Sequence, residues 1–178
     1  MKEIVYMKKQ LLVINIKNKL HNNEATKKVS LGFFGGEPFL YFEEVMKPLL
    51  ERVKEITTLY DIAFSSSATT NAALITTDSL LYLKNYNFDY MQVTLDGNKA
   101  RHNKVRFSYP GDNSYDLIVK NIKESISFGI RIVLRLNISE HTKLDVHNIL
   151  NDFEDVADKS LLTFSINKIK NTIIFSIL

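Results

Sequence analysis

LGFFGGEPFL, residues Leu31 to Leu40, halts an apolar run at two glycines, a carboxylate and a proline. Val29 to Phe34 (VSLGFF) reads as a short buried strand. After the proline the period changes. Val45, Met46, Leu49, Leu50, Val53 and Ile56 recur at helical spacings, with Glu43, Glu44, Lys47, Glu51 and Lys54 on the opposite side. The stretch is therefore a strand-to-helix turn. Pro48 lies inside this helix and is expected to bend it or remove one hydrogen bond.

The same alternation continues along the chain. Asp61 to Ser66 (DIAFSS) reads as a strand, and Thr77 to Asn85 as a short helix capped by Thr77 or Asp78. Tyr90 to Leu95 (YMQVTL) is a strand closed by the turn pair Asp96-Gly97. Ser114 caps a helix carrying Leu117, Ile118, Ile122 and Ile126, which Gly129 ends. Ile130 to Ile138 is the most strongly β-branched strand. Thr142 and Asp145 resemble a capping box opening a helix with Leu144, Ile149, Leu150 and Phe153, and Leu161 to Ile166 is the last clear strand. Ahead of all this, residues 3 to 21 read as a helix bearing Ile4, Val5, Leu12, Ile16 and Leu20.

Strands alternating with helices imply right-handed crossovers and a parallel sheet, an α/β fold. An open doubly wound sheet and an arc of a β/α barrel both satisfy the pattern. Either one gathers its chemistry at the carboxyl ends of the strands. That rule selects Gly35, Gly36 and Glu37, then Ser65 to Ser67 with Thr70 and Asn71, then Thr94 and Asp96-Gly97, then Arg135 and Asn137. Such a rim can grip a small charged ligand. The two glycines let the backbone approach a ligand closely, and Glu37 can receive an ammonium group. A tight turn with a solvent-facing glutamate accounts for the same residues. Arg135, alternating with Leu134 and Leu136, reads as a residue on the surface of its strand, and His102, between Arg101 and Lys104, reads as part of a solvated basic loop.

Composition bounds the function. The chain has 178 residues, a formal net charge of +3 and scattered lysines, which give no argument for nucleic acid. No apolar run approaches the ~20 residues of a membrane helix, and the N-terminal apolar patch is broken by Asn15 and Lys17, so a cytoplasmic protein is expected. There is no cysteine, hence no disulfide framework, no thiolate metal site and no cysteine nucleophile.

FFGGEPFL, SSSATTNAALIT, VTLDGNKARHNKVRF and RLNIS follow the order and spacing of radical S-adenosylmethionine enzymes. The chain most resembles the SPASM-type peptide and sulfatase maturases, chiefly over residues 29 to 140. The resemblance implies a partial (β/α) barrel of parallel strands and S-adenosylmethionine cleaved by a 4Fe–4S cluster, giving a radical that takes a substrate hydrogen. It implies that Gly35, Gly36 and Glu37 hold the methionyl amino group and that Arg135 lies near the carboxylate. Asn71 and Thr94 would line the cofactor site, and Asp96 would face a peptide or protein substrate.

The departure is the cluster. The family ligates it through CxxxCxxC after the first barrel strand, and this chain has no cysteine to offer. The expected architecture is one truncated core domain over residues 1–178, with an N-terminal helical segment (1–28), βα repeats (29–169), about five strands, and the first strand missing. Weak or no S-adenosylmethionine binding, no catalysis by the chain alone and no bound metal are expected. An edge uncovered in this way invites a homo-oligomer or a partner strand. A non-catalytic scaffold or peptide-binding relative is the alternative. An unrelated α/β enzyme using Glu37 and Asp96 as an acid–base pair ranks below both.

Overall fold

The computed structural model describes residues 28–105, 114–138, 145–168 and 171–176. The helix expected over residues 3 to 21 and the cap expected at Thr142 lie outside them.

The chain forms one sheet with the strands in sequence order: β1 (Lys28–Phe33), β2 (Ala63–Thr70), β3 (Phe88–Leu95), β4 (Arg131–Ile138), β5 (Leu162–Lys168) and β6 (Asn171–Ser176). β1 to β5 run parallel, and β6 returns antiparallel to β5. A doubly wound sheet reverses its strand order at a switch point, and this sheet has none among the described strands. Sequential order with helical crossovers is that of a barrel arc, which settles the choice left open by the sequence. The crossovers contain α1 (Lys47–Leu59), α2 (Thr77–Lys84), α3 (Lys99–Val105) with α4 (Ser114–Ser127), and α5 (Asp145–Asn151).

The two faces of the sheet differ in chemistry because strand side chains alternate. Outward from the arc point Leu31, Phe33, Phe64, Met91, Val93, Leu95, Ile132, Leu134 and Phe164, all buried. They pack against Leu50 and Val53 of α1, Leu80 and Leu83 of α2, and Ile118, Ile122 and Ile126 of α4 in one core. The other face carries Ser30, Ser65, Ser67, Thr69, Gln92, Thr94, Arg135 and Thr163, half-buried or exposed. Parallel strands covered on both faces read as continuous apolar runs. FDYMQVTL and RIVLRLNI alternate instead, so helices cover only one side.

Several boundaries differ from the sequence expectation. β2 runs four residues past Ser66, so Ser65 to Ser67 lie within the strand and not at its end. Lys28 opens β1, although it was expected to close the N-terminal helical segment. The cap of α2 is Thr76, whose side chain and that of Ser79 form a reciprocal capping box. Pro48 stands in the first turn of α1, where its missing N–H is least costly, and a π-helical turn over Phe42–Met46 precedes it. The basic segment around His102 is a helix, α3, and His102 is fully buried against Tyr115, with ring centroids 5.7 Å apart.

Candidate functional site

The GGEP turn is built by backbone conformation. Gly35 and Gly36 have φ of 85° and 66°, the left-handed region where a side chain is penalised, and a Cβ on either would meet nothing within 4 Å. The glycines thus serve the turn's path and leave open space beside it. Pro38 then starts a 3-10 turn over Pro38–Tyr41, with Glu37 as its N-cap.

Glu37 does not face solvent alone. Its Oε1 accepts from the amide of Phe39 at 3.1 Å and from the hydroxyl of Thr70 at 2.6 Å. Its Oε2 accepts from the amide of Asn71 at 2.8 Å. The carboxylate therefore ties the end of β1 to the end of β2, and the solvent-facing reading of this turn is replaced. The Asn71 side chain in turn accepts from the amide of Ala73 at 2.8 Å.

The second cluster lies at the ends of β3 and β4. Thr94 and Arg135 are register partners, and Ser165 of β5 continues the same rung. Beyond the strand, Asn137 donates to Asp96 Oδ1 at 3.2 Å, and the Asp96 amide donates to His102 Nδ1 at 3.4 Å. Gly97, at φ 120°, turns the chain into α3. Behind it, buried Asp145 accepts from Asn98 Nδ2 and from Arg101 Nε, both at 2.8 Å. Asp145 thus anchors the turn after β3 through Asn98 and Arg101, one before α3 and one in it.

The residues singled out by sequence therefore fall into two groups on one rim: Gly35, Gly36, Glu37 and Asn71 over β1 and β2, and Thr94, Asp96 and Arg135 over β3 and β4. Glu37 and Asp96 sit in separate hydrogen-bond networks. Ser165 and Asn121 are not singled out by the sequence, and Thr70, placed at the rim by it, is not tied there to Glu37. For Ser165 the signal was present in the alternation of LTFSI. A mostly apolar hollow of about 290 Å³ lies against the GGEP turn, lined by Gly35, Gly36 and Glu37 together with Leu31 and Phe33 of β1 and Val45.

Neither group supplies an iron–sulfur site. Clusters are held by thiolates, and the sequence contains no cysteine. Among the described residues no three His, Cys, Asp or Glu side chains are grouped to hold a metal. The residues present do not fit a cluster, whereas the rim offers both an anion and a guanidinium for an amino-acid-like ligand.

No family model matches the chain. A curated relative, the cysteine-type anaerobic sulfatase-maturating enzyme of Clostridium novyi, is 31% identical over 139 residues, covering 76% of this chain and 36% of the relative. The chain thus spans little more than a third of that protein's length. Among solved structures, native anSMEcpe with bound AdoMet and Kp18Cys peptide superposes with a TM-score of 0.71 at 21% identity, over 89% of this chain and 42% of that one. Streptococcus suis SuiB superposes with a TM-score of 0.57 at 19% identity, over 90% of this chain and 33% of that one. The chain is a cysteine-free homologue of the radical S-adenosylmethionine sulfatase maturases and has the fold of their partial barrel.

Proposed function

We propose that this chain forms the wall of a radical S-adenosylmethionine core that faces cofactor and peptide, and that by itself it is catalytically silent. The observation that carries the second half is the absence of any thiol in all 178 residues. Reductive chemistry on the cofactor needs the cluster, and no step through the cluster is assigned to this chain. The residues of the chain would bind and orient. The Glu37 carboxylate takes a ligand ammonium beside the Gly35–Gly36 backbone, and the Arg135 guanidinium takes a carboxylate. Asn71 and Thr94 line the space between them, and Asp96 faces a peptide or protein substrate. Support for this arrangement comes from the shared rim, the register pairing of Thr94 with Arg135, and the likeness to a maturase solved with AdoMet and peptide.

Cluster loss also removes the iron to which the cofactor would bind, so affinity for S-adenosylmethionine is expected in the millimolar range (about −4 kcal/mol). The test is twofold. Anaerobic incubation of the purified chain with iron and sulfide should leave no cluster absorbance, and amide resonances of the rim should shift on titration with S-adenosylmethionine. A reconstituted cluster would overturn the silent reading, and a rim that does not respond to the cofactor would overturn the binding reading.

The whole chain is proposed to act as one unit in the cytoplasm. Among the described strands β1 stands at one edge of the sheet, and the second reading, a non-catalytic scaffold, draws on it: the outer backbone groups of an edge strand suit a second copy or a partner strand. A clean monomer in size-exclusion chromatography at high concentration would remove the self-pairing version.

A further inference from the structure

Thr70 sits at the centre of a hydrogen-bond relay whose direction is determined by chemistry. Its Oγ1 lies 2.9 Å from the amide nitrogen of Ala72 and 2.6 Å from Glu37 Oε1. An amide N–H can only donate, so the hydroxyl oxygen accepts there and its single proton goes to the carboxylate. With the amides of Asn71 and Phe39, Glu37 then receives three hydrogen bonds from the protein. An ionised carboxylate offers about four acceptor directions. The protein has filled all but one of them and thereby oriented the group.

The turn that brings Thr70 and the Asn71 amide to Glu37 is itself strained. Ala72 has φ 62° and is fully buried, in a left-handed conformation that crowds its Cβ against the backbone. Such a residue persists where its surroundings over-determine it, and this happens most often at functional sites. Here the Ala72 amide is held by Thr70, and its carbonyl accepts from Asn121 Nδ2 at 2.7 Å. Asn121 lies on α4 and is 4% exposed. A buried amide placed on an apolar helix face, against the outer core, is costly unless it has this partner.

We propose that Thr70 is a positioning residue for ligand binding: its hydroxyl, carried on the Ala72 turn that Asn121 locks, aims the Glu37 carboxylate so that one acceptor direction remains for a ligand ammonium. This rests on the cofactor reading above and specifies the part of that site which recognises a free amino group. Neither Thr70 nor Asn121 touches the ligand. Both act through Glu37.

The experiment is a titration of the isotopically labelled chain with S-adenosylmethionine, followed by amide shifts, for the wild type and for Glu37→Gln, Thr70→Val and Thr70→Ser. Thr70→Val should weaken binding about tenfold, the scale of one hydrogen bond to a charged group, while Thr70→Ser should stay within about twofold of wild type. Glu37→Gln should weaken binding at least as much as Thr70→Val. Hydrogen exchange of the Asn71 amide is read alongside, since that amide donates to Glu37. It should lose protection in Glu37→Gln while amides of β3 and β4 keep theirs, which separates a local effect from unfolding. Wild-type affinity in Thr70→Val, or failure of Thr70→Ser to restore it, overturns the positioning role and leaves the cofactor reading standing. A wild type and Glu37→Gln that respond alike overturn the cofactor reading, and the positioning role with it.

Discussion

Asp145 Oδ2 lies 2.8 Å from Arg101 Nε, across 44 residues of chain, while its Oδ1 accepts from Asn98 at the same distance. The first turn of α5 thus holds the turn that follows β3, the turn that carries Asp96. Asp145 is 7% exposed and accepts from two partners, so its removal takes away two hydrogen bonds to a buried charge at once. Asp145→Ala is expected to cost about 2–3 kcal/mol in urea unfolding, the range for hydrogen bonds to charged groups. Arg101→Met should cost less, about 1 kcal/mol, because the Arg101 side chain is 41% exposed. Equal costs would show that the Asn98 contact adds nothing to the pair with Arg101.

Gly97 is locked by the same contact. A Cβ there would stand 2.6 Å from Arg101 Cδ and 2.9 Å from Asp145 Oδ2, at a φ of 120°. The arginine tail can move, but the buried carboxylate cannot move without releasing Asn98. Gly97→Ala should therefore destabilise by about 1–3 kcal/mol from backbone strain alone, and by more if the ion pair opens. Combining it with Asp145→Ala should give less than the sum of the single costs, since both break one cluster. Strict additivity in the denaturation midpoints would reject the shared cluster.

The two faces of the sheet should respond differently at adjacent positions. Val93 is fully buried on the helix-covered face, and Thr94 is half-buried on the polar one. Val93→Ala should cost about 2 kcal/mol through lost burial and cavity, and Thr94→Ala about 1 kcal/mol or less. In the titration with S-adenosylmethionine the order should invert, with Thr94→Ala changing the rim response and Val93→Ala leaving it alone. A thermal melt and a titration on the same samples check both halves.

What could be read from the chain follows from the range of each signal. Period-2 and period-3.6 patterns are local, so the five parallel strands and the helices α1, α2 and α4 were all legible. From sequence β2 reads as ending at Ser66, because serine is also a turn former and the alternation of Ser65, Ser67 and Thr69 with Ser66, Ala68 and Thr70 has little hydrophobic contrast. α3 is not legible for a similar reason: KARHNKV has no apolar stripe, and its burial rests on His102 meeting Tyr115 from another helix. The motif residues Gly35 to Glu37 were legible as a turn. The pairing of Glu37 with Thr70, 33 residues away, was not, because nothing local encodes which hydroxyl a carboxylate will meet.

Tyr115 links this packing to pH. Its hydroxyl donates to Asp152 Oδ2 at 2.6 Å, and burial, then Asp152, push the phenol above its ordinary range. Tyr82 is shifted the same way, by burial, Tyr86 and Glu51. A phenol with a raised folded pKa contributes its full stabilisation below the unfolded value of about 10. Above that pH the unfolded chain releases the proton first, so stability falls as pH rises toward the folded pKa. Tyr115→Phe should lower stability by about 1 kcal/mol near pH 8, the net worth of one hydrogen bond. Because it removes one of the titrating groups, the variant should also decline less steeply than wild type above about pH 10. Urea midpoints measured from neutral to strongly alkaline pH give both numbers. Parallel curves for the two proteins would mean that the phenol ionises alike in the folded and unfolded chain, and that the Asp152 contact does not hold its proton.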